Sequence, residues 1–168
     1  MEQTLKFLNE LTANGLVEQY AIGGAMAAFF YSEAVVTEDL DAFILFDQPA
    51  SGLVTLSPVY EFLKSRGATE RREHLLVAGT LLQLIPAYDP LTEEAVRQAV
   101  DRLVGETGTR VLTAEHLIAI ALKTGRAKDH ARVATLLEEA AIDTARLTDI
   151  LERHQLLERW DRFRALHP

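Results

Sequence analysis

Residues 21–46 read AIGGAMAAFFYSEAVVTEDLDAFILF, and the order of features in this stretch decides the fold. A short apolar run ends in Gly23-Gly24, a segment of helical character rich in small residues follows, and Asp39 and Asp41 precede five apolar residues. Asp-Leu-Asp thus stands at the mouth of a strand that is apolar on both faces, like an interior strand covered by helices. Residues two apart in a strand leave the same face, about 7 Å apart. Asp39 and Asp41 therefore project together, while Leu40 points into the core. Two carboxylates held this close repel, and burial makes the repulsion worse. A divalent cation relieves it, and oxygen-only ligands suit Mg²⁺ (or Mn²⁺), which completes its shell with water and substrate phosphates. Such a pair can template metal-assisted phosphoryl or nucleotidyl transfer. Without Cβ atoms, Gly23 and Gly24 would let a phosphate approach backbone amides at a helix N-terminus, where the dipole favours an anion.

Working outward, Leu5, Leu8 and Leu11 (with Phe7) form a helical stripe that Gly15 can stop. EQYAIGG reads as a strand entering the glycine turn, AMAAFFYSE as a compact helix, and TEDLDAFILF as the apolar strand. SPVYEFLKSRG opens a helix on Ser57-Pro58 and closes on Gly67. HLLVAGTLLQLIP reads as two strands, or one bent strand broken at Gly79, with Gln83 the polar residue inside LLQLIP. TEEAVRQAVDRLV, residues 92–104, keeps a helical period, with a box from Thr92 only partly formed. A short strand is expected over Arg110–Leu112, then a helix from Thr113 to near Gly125 with Glu115 and His116 in its first turn. Three further helices are expected in HARVATLLEEAA, DTARLTDILERH and LLERWDRFRAL, the second capped by Asp143 and Thr144. The order predicts an α+β (mixed α/β) fold. Residues 1–112 would form the core and residues 113–168 a helical region packed on it. Trp160 and Phe163, at i and i+3, would pack against the body.

The bulk properties narrow the chemistry. A chain of 168 residues without cysteine has no disulfide and no thiolate metal site. His74, His116, His130 and His154 show no ligand spacing, and His116 and His154 read as structural. No apolar run reaches the ~18 residues that span a bilayer. Glu2, Lys6, Glu10 and Glu18 do not make a signal peptide, so the expected location is cytoplasmic. The net charge of -8 argues against long duplex DNA as a partner. The charge is unevenly spread: residues 1–122 hold 8 basic and 17 acidic side chains, residues 123–168 hold 9 and 8. A polyanion, if one binds, would meet the C-terminal third; the alternative is that these basic residues decorate solvated helix faces.

Gly-Gly followed by TxDLD at this distance resembles the polymerase-β-like nucleotidyltransferase superfamily. The chain looks closest to its bacterial abortive-infection toxin-type (AbiEii-like) branch. A second match lies in EHLIAIALKTGRAKDHARVATLL, where Lys, Arg and Lys-Asp recur at the junction of two helices. Together the two segments span about residues 20–137. The resemblance implies a small mixed sheet with flanking helices, metal-binding Asp39 and Asp41, and a triphosphate held by Gly23 and Gly24. Lys123, with Arg126 or Lys128, would neutralise the phosphates, and Asp129 could orient one of these cations. It implies a metal-dependent enzyme moving a nucleoside monophosphate from a nucleoside triphosphate to a hydroxyl of a protein or RNA. A cognate partner protein could restrain it. One departure matters. Active members usually carry a third acid on a neighbouring strand, and the matching residue here is Gln83, whose amide accepts no proton at neutral pH. Transfer could still run without a strong base, since such catalysis is mostly positioning and charge neutralisation. The alternative is a nucleotide-binding module of the same fold without turnover.

Overall fold

The computed structural model describes residues 1–33, 37, 39–47 and 55–167. Along the chain run α1 (Glu2–Ala13), β1 (Gln19–Ile22), α2 (Gly24–Ala28), β2 (Asp39–Leu45), α3 (Ser57–Ser65), β3 (Thr69–Arg71), β4 (His74–Val77) and β5 (Thr80–Pro86). Then follow α4 (Pro90–Arg97), β6 (Val100–Val104), β7 (Thr107–Val111), α5 (Ala114–Thr124), α6 (Ala127–Glu139), α7 (Thr144–Arg153) and α8 (Leu157–Leu166). Among the described residues the strands form one mixed sheet of order β3-β4-β5-β2-β1-β7-β6. The acid-bearing strand β2 lies at its centre, antiparallel to β1 and parallel to β5. That position explains its composition: Leu40, Ala42 and Ile44 are fully buried on one face, and Phe43 and Leu45 nearly so on the other. Each such large side chain contributes about 1.5–3 kcal/mol by leaving water.

Helix α1 buries Thr4, Leu5, Leu8 and Leu11, the expected stripe. After β7 the described elements are all helical. Their buried residues, from Leu117 and Leu122 through Val133, Leu136 and Ile150 to Phe163, join the same hydrophobic core as Leu40 and Ile44. Phe163 is buried, and Trp160 stacks on it with ring centroids 6.1 Å apart. The fold is mixed α+β, as the sequence indicates.

Two local expectations are corrected, and one open alternative is decided. The helix expected over residues 92–104 begins earlier and ends earlier. Its N-cap is Asp89, whose Oδ1 accepts from the amides of Leu91 and Thr92 at 3.1 and 3.2 Å, and Thr92 is the reciprocal member of the capping box. Helix α4 stops at Arg97, and Val100–Val104 instead pairs with β7 as a hairpin around Gly105. The extended form wins because β7 is itself held to β1 and offers its free edge to the segment. Helix α2 closes at Ala28, with its C-cap at Phe29, short of the Glu33 end expected. A two-residue turn at Ala78 and Gly79, both at positive φ, separates β4 from β5, so the apolar run is two strands rather than one. Glu38, at the start of the expected β2 segment, lies outside the described residues. No helix among the described residues is long and apolar enough to cross a membrane.

Candidate functional site

A cleft of about 800 Å³ lies over the sheet. Asp39, Asp41 and Phe43 on β2, with Gln83 and Ile85 on β5, form its floor, and the start of α2 borders it. Helices α5 and α6 close the far side, bringing Lys123, Arg126, Lys128 and Arg132 to face the acids.

The glycine pair is required by packing inside the protein itself. Gly24 has φ +59°, and a Cβ there would overlap the Asp41 carboxylate. A Cβ at Gly23 would overlap the ring of Phe43. The Gly23 amide donates to the Asp41 carbonyl at 2.8 Å, continuing the β1–β2 ladder, so it is not available to a ligand. Gly24 and Ala25 are the residues of this turn that border the cleft, where α2 has no side-chain cap.

Asp39 and Asp41 do share one face, with buried Leu40 between them on the other. Burial pushes the Asp41 carboxyl above its ordinary value of 3.8; Arg132 opposes the rise, Asp39 adds to it, and Lys128 and His74 oppose it. Among the described residues neither aspartate has an ion-pair partner in contact. No group of three or more His, Cys, Asp or Glu among them could hold a metal alone. Two oxygen donors on a rigid strand, open to a roomy cleft, fit a cation that takes its other ligands from water and phosphate.

Three of the cations opposite, Lys123, Arg126 and Arg132, are held in place by carboxylates. Lys123 in the last turn of α5 pairs with Asp89 at 2.8 Å. Burial would raise the Asp89 carboxyl, but hydrogen bonds from Lys123 and Thr92 bring it below its ordinary 3.8. Gly125 caps α5 in the left-handed conformation, turning the chain into α6. Asp129, 1% exposed, accepts from Arg126 Nε at 2.7 Å and Arg132 at 3.4 Å, so one buried carboxylate orients two guanidinium groups. Arg132, Asp89 and His74 were not among the candidate residues. The i, i+4 spacing of Lys128 and Arg132, which puts both on one face of α6, is the signal that finds Arg132. Asp89 and His74 give no comparable local signal.

Gln83 stands directly beside Asp41 in the parallel β2–β5 register, and both line the cleft. Gln83 therefore lies on the strand next to the aspartates, as expected from the sequence, and it carries an amide.

His116 and His154 lie elsewhere. Both bond Glu94, their Nε2 atoms 3.2 and 2.9 Å from its two oxygens, and Arg153 donates to the same carboxylate at 2.8 Å. The Arg153 hydrogen bond leads in holding Glu94 at about 2 against its burial, with His154 and His116 assisting. Burial keeps the His116 imidazole below its ordinary 6.5. The cluster ties α4, α5 and α7 together.

Solved structures share this fold. The solution structure of the antibiotic-resistance factor ANT(2'')-Ia is similar over 99% of this chain and 98% of its own, with a TM-score of 0.54 and 13% identity. A crystal structure of an antigenic nucleotidyltransferase-like protein from Paracoccidioides brasiliensis matches 95% of this chain and 88% of its own, with a TM-score of 0.54 and 14% identity. At such identities the likeness is one of fold. No family model and no curated protein matches the sequence.

Proposed function

We propose that the cleft binds a nucleoside triphosphate with Mg²⁺ (or Mn²⁺) and passes the nucleoside monophosphate to a hydroxyl, releasing pyrophosphate. The observation that carries this reading is the opposition of two walls. Asp39 and Asp41 face Arg126, Lys128 and Arg132 across a cleft of about 800 Å³. Asp39 and Asp41 would hold the metal, which when bound neutralises charge on the phosphates and on the leaving group. Arg126 and Arg132, oriented by Asp129, and Lys128 would grip the β- and γ-phosphates. Lys123 would join them by exchanging its Asp89 partner for phosphate. Gly24 and Ala25 would offer amides to the triphosphate. Gly23 serves by making room for Phe43, which seats the strand that carries the acids.

The acceptor in this reading is a hydroxyl on a protein or RNA in the cytoplasm. The fold neighbour ANT(2'')-Ia, an antibiotic-resistance factor, makes a small-molecule acceptor the natural comparison in any screen. The abortive-infection toxin-type resemblance adds a cognate partner protein to the proposal. A second reading, nucleotide binding without transfer, draws its support from the amide of Gln83 beside Asp41.

Thermal melting with each nucleoside triphosphate, with and without Mg²⁺, tests the proposal. A nucleotide at 100 times its dissociation constant adds about 2.7 kcal/mol, a rise of roughly 5–10 °C for a chain of this size. The rise is expected to need the metal and to vanish in Asp41→Asn. No rise with any of the four nucleotides contradicts both readings. Transfer of label from [α-³²P]-nucleotides into cell extract then separates them.

A further inference from the structure

Resting on the nucleotidyl-transfer reading, we propose that His74 takes the proton of the attacking hydroxyl, doing the work that Gln83 cannot do. The sheet register leads there. Asp41 pairs with Gln83, and Leu75, Leu76 and Val77 of β4 pair with Leu82, Leu81 and Thr80 of β5. One further step of that antiparallel register sets His74 beside Gln83. Asp41, Gln83 and His74 thus form a row across three strands, continued by Arg71, which pairs with His74 on β3. The burial alternation agrees: Leu75 and Val77 are buried, His74 and Leu76 partly exposed on the other face. His74 and Gln83 both border the cleft with the two aspartates.

Two strand spacings of about 4.8 Å place His74 about 10 Å from Asp41, backbone to backbone. That gap accommodates an α-phosphate near the aspartates and the incoming oxygen beyond it, within reach of the imidazole. Among the described residues none forms a hydrogen bond or ion pair with the His74 ring. A neutral imidazole accepts a proton at physiological pH, and a primary amide does not. In the step, a lone pair of the acceptor oxygen forms the new bond to the α-phosphorus. The bond from that phosphorus to the bridging oxygen breaks, and pyrophosphate leaves with the electron pair. The hydroxyl proton passes to His74, which later returns it to water. The side chain before it, Glu73, also borders the cleft from the β3–β4 turn and is the rival acceptor.

The test compares wild type, His74→Ala, His74→Gln and Glu73→Gln. Two readouts are used: the melting rise with Mg²⁺ and nucleotide, and label transferred from saturating [α-³²P]-nucleotide into cell extract. Loss of a positioned base costs 10²–10⁴-fold. Both His74 variants should therefore lose about 100-fold or more in transfer while keeping the wild-type melting rise. Added imidazole should restore transfer to His74→Ala, whose missing ring leaves space, and not to His74→Gln. Glu73→Gln should stay within about threefold of wild type. Transfer by His74→Ala within about threefold of wild type overturns the inference alone, as does a large loss confined to Glu73→Gln. Loss of the melting rise in both His74 variants also overturns it, because the residue would then serve binding. If wild type shows no melting rise, the nucleotide reading itself fails.

Discussion

Gly24 and Asp41 make a single unit, and each explains the other. The carboxylate of Asp41 lies where a side chain at position 24 would be, and the backbone at Gly24 is left-handed. Gly24→Ala therefore suffers twice, about 1–2 kcal/mol for the left-handed backbone and more for the displaced carboxylate. Gly15, at φ +67° with no atom within 4 Å of a Cβ, isolates the backbone cost. Melting should rank Gly24→Ala clearly below Gly15→Ala, and equal losses would show that the carboxylate moves freely. Asp41 also gives a prediction with a sign. Its carboxyl titrates above 3.8, chiefly because it is buried, so the folded protein holds that proton more tightly than the unfolded chain. The linked stability is full below about 3.8 and falls as pH rises through the folded value, leaving the charged form destabilising at neutral pH. Asp41→Asn should accordingly raise the metal-free melting temperature at pH 7 while removing the response to Mg²⁺ and nucleotide. A lowered melting temperature would mean that the charge is already compensated within the protein.

At the scale of elements, the stretch around β2 was legible because its signals are local. A buried strand entered by paired acids, a glycine turn and a capped basic helix junction each follow from a few adjacent residues. The β6–β7 hairpin was not legible, since Val96, Val100 and Leu103 continue the helical spacing of α4 without a Gly or Pro to stop it. Strand β6 lies at the sheet edge, with Asp101, Arg102 and Leu103 all exposed, so no two-residue alternation marks it. Strand β3 is hidden for the same reason, being exposed along its length and turned into β4 through Arg72 at φ 59° rather than through glycine. The Glu94 cluster was likewise invisible, because its members come from α4, α5 and α7 and meet only on folding. It gives the molecule an acid-sensitive joint. Glu94 is held at about 2, below its ordinary 4.5, so its contribution is complete above about 4.5 and is lost as pH falls toward 2. Glu94→Gln should be less stable than wild type at pH 7, with the difference shrinking as pH drops through that window. A difference constant from pH 7 to pH 2.5 would contradict this.

Across the whole molecule, the sheet supplies the acids and the C-terminal helices supply the cations. Residues 1–122 carry a net charge of -9 and residues 123–168 a net of +1, and the cleft lies where the two meet. Neither part contains the site alone, which makes the docking of α5 and α6 on the sheet a condition for binding. The core residues shared between sheet and helices secure that docking. In the proposed complex a divalent cation on Asp39 and Asp41 joins a triphosphate gripped from α6. Anomalous diffraction from a co-crystal with Mn²⁺ and a non-hydrolysable nucleoside triphosphate tests it most directly. A manganese peak is expected at the two carboxylates, with the phosphates running toward Arg126, Lys128 and Arg132. Manganese bound away from both aspartates, or nucleotide seated outside this cleft, would contradict it.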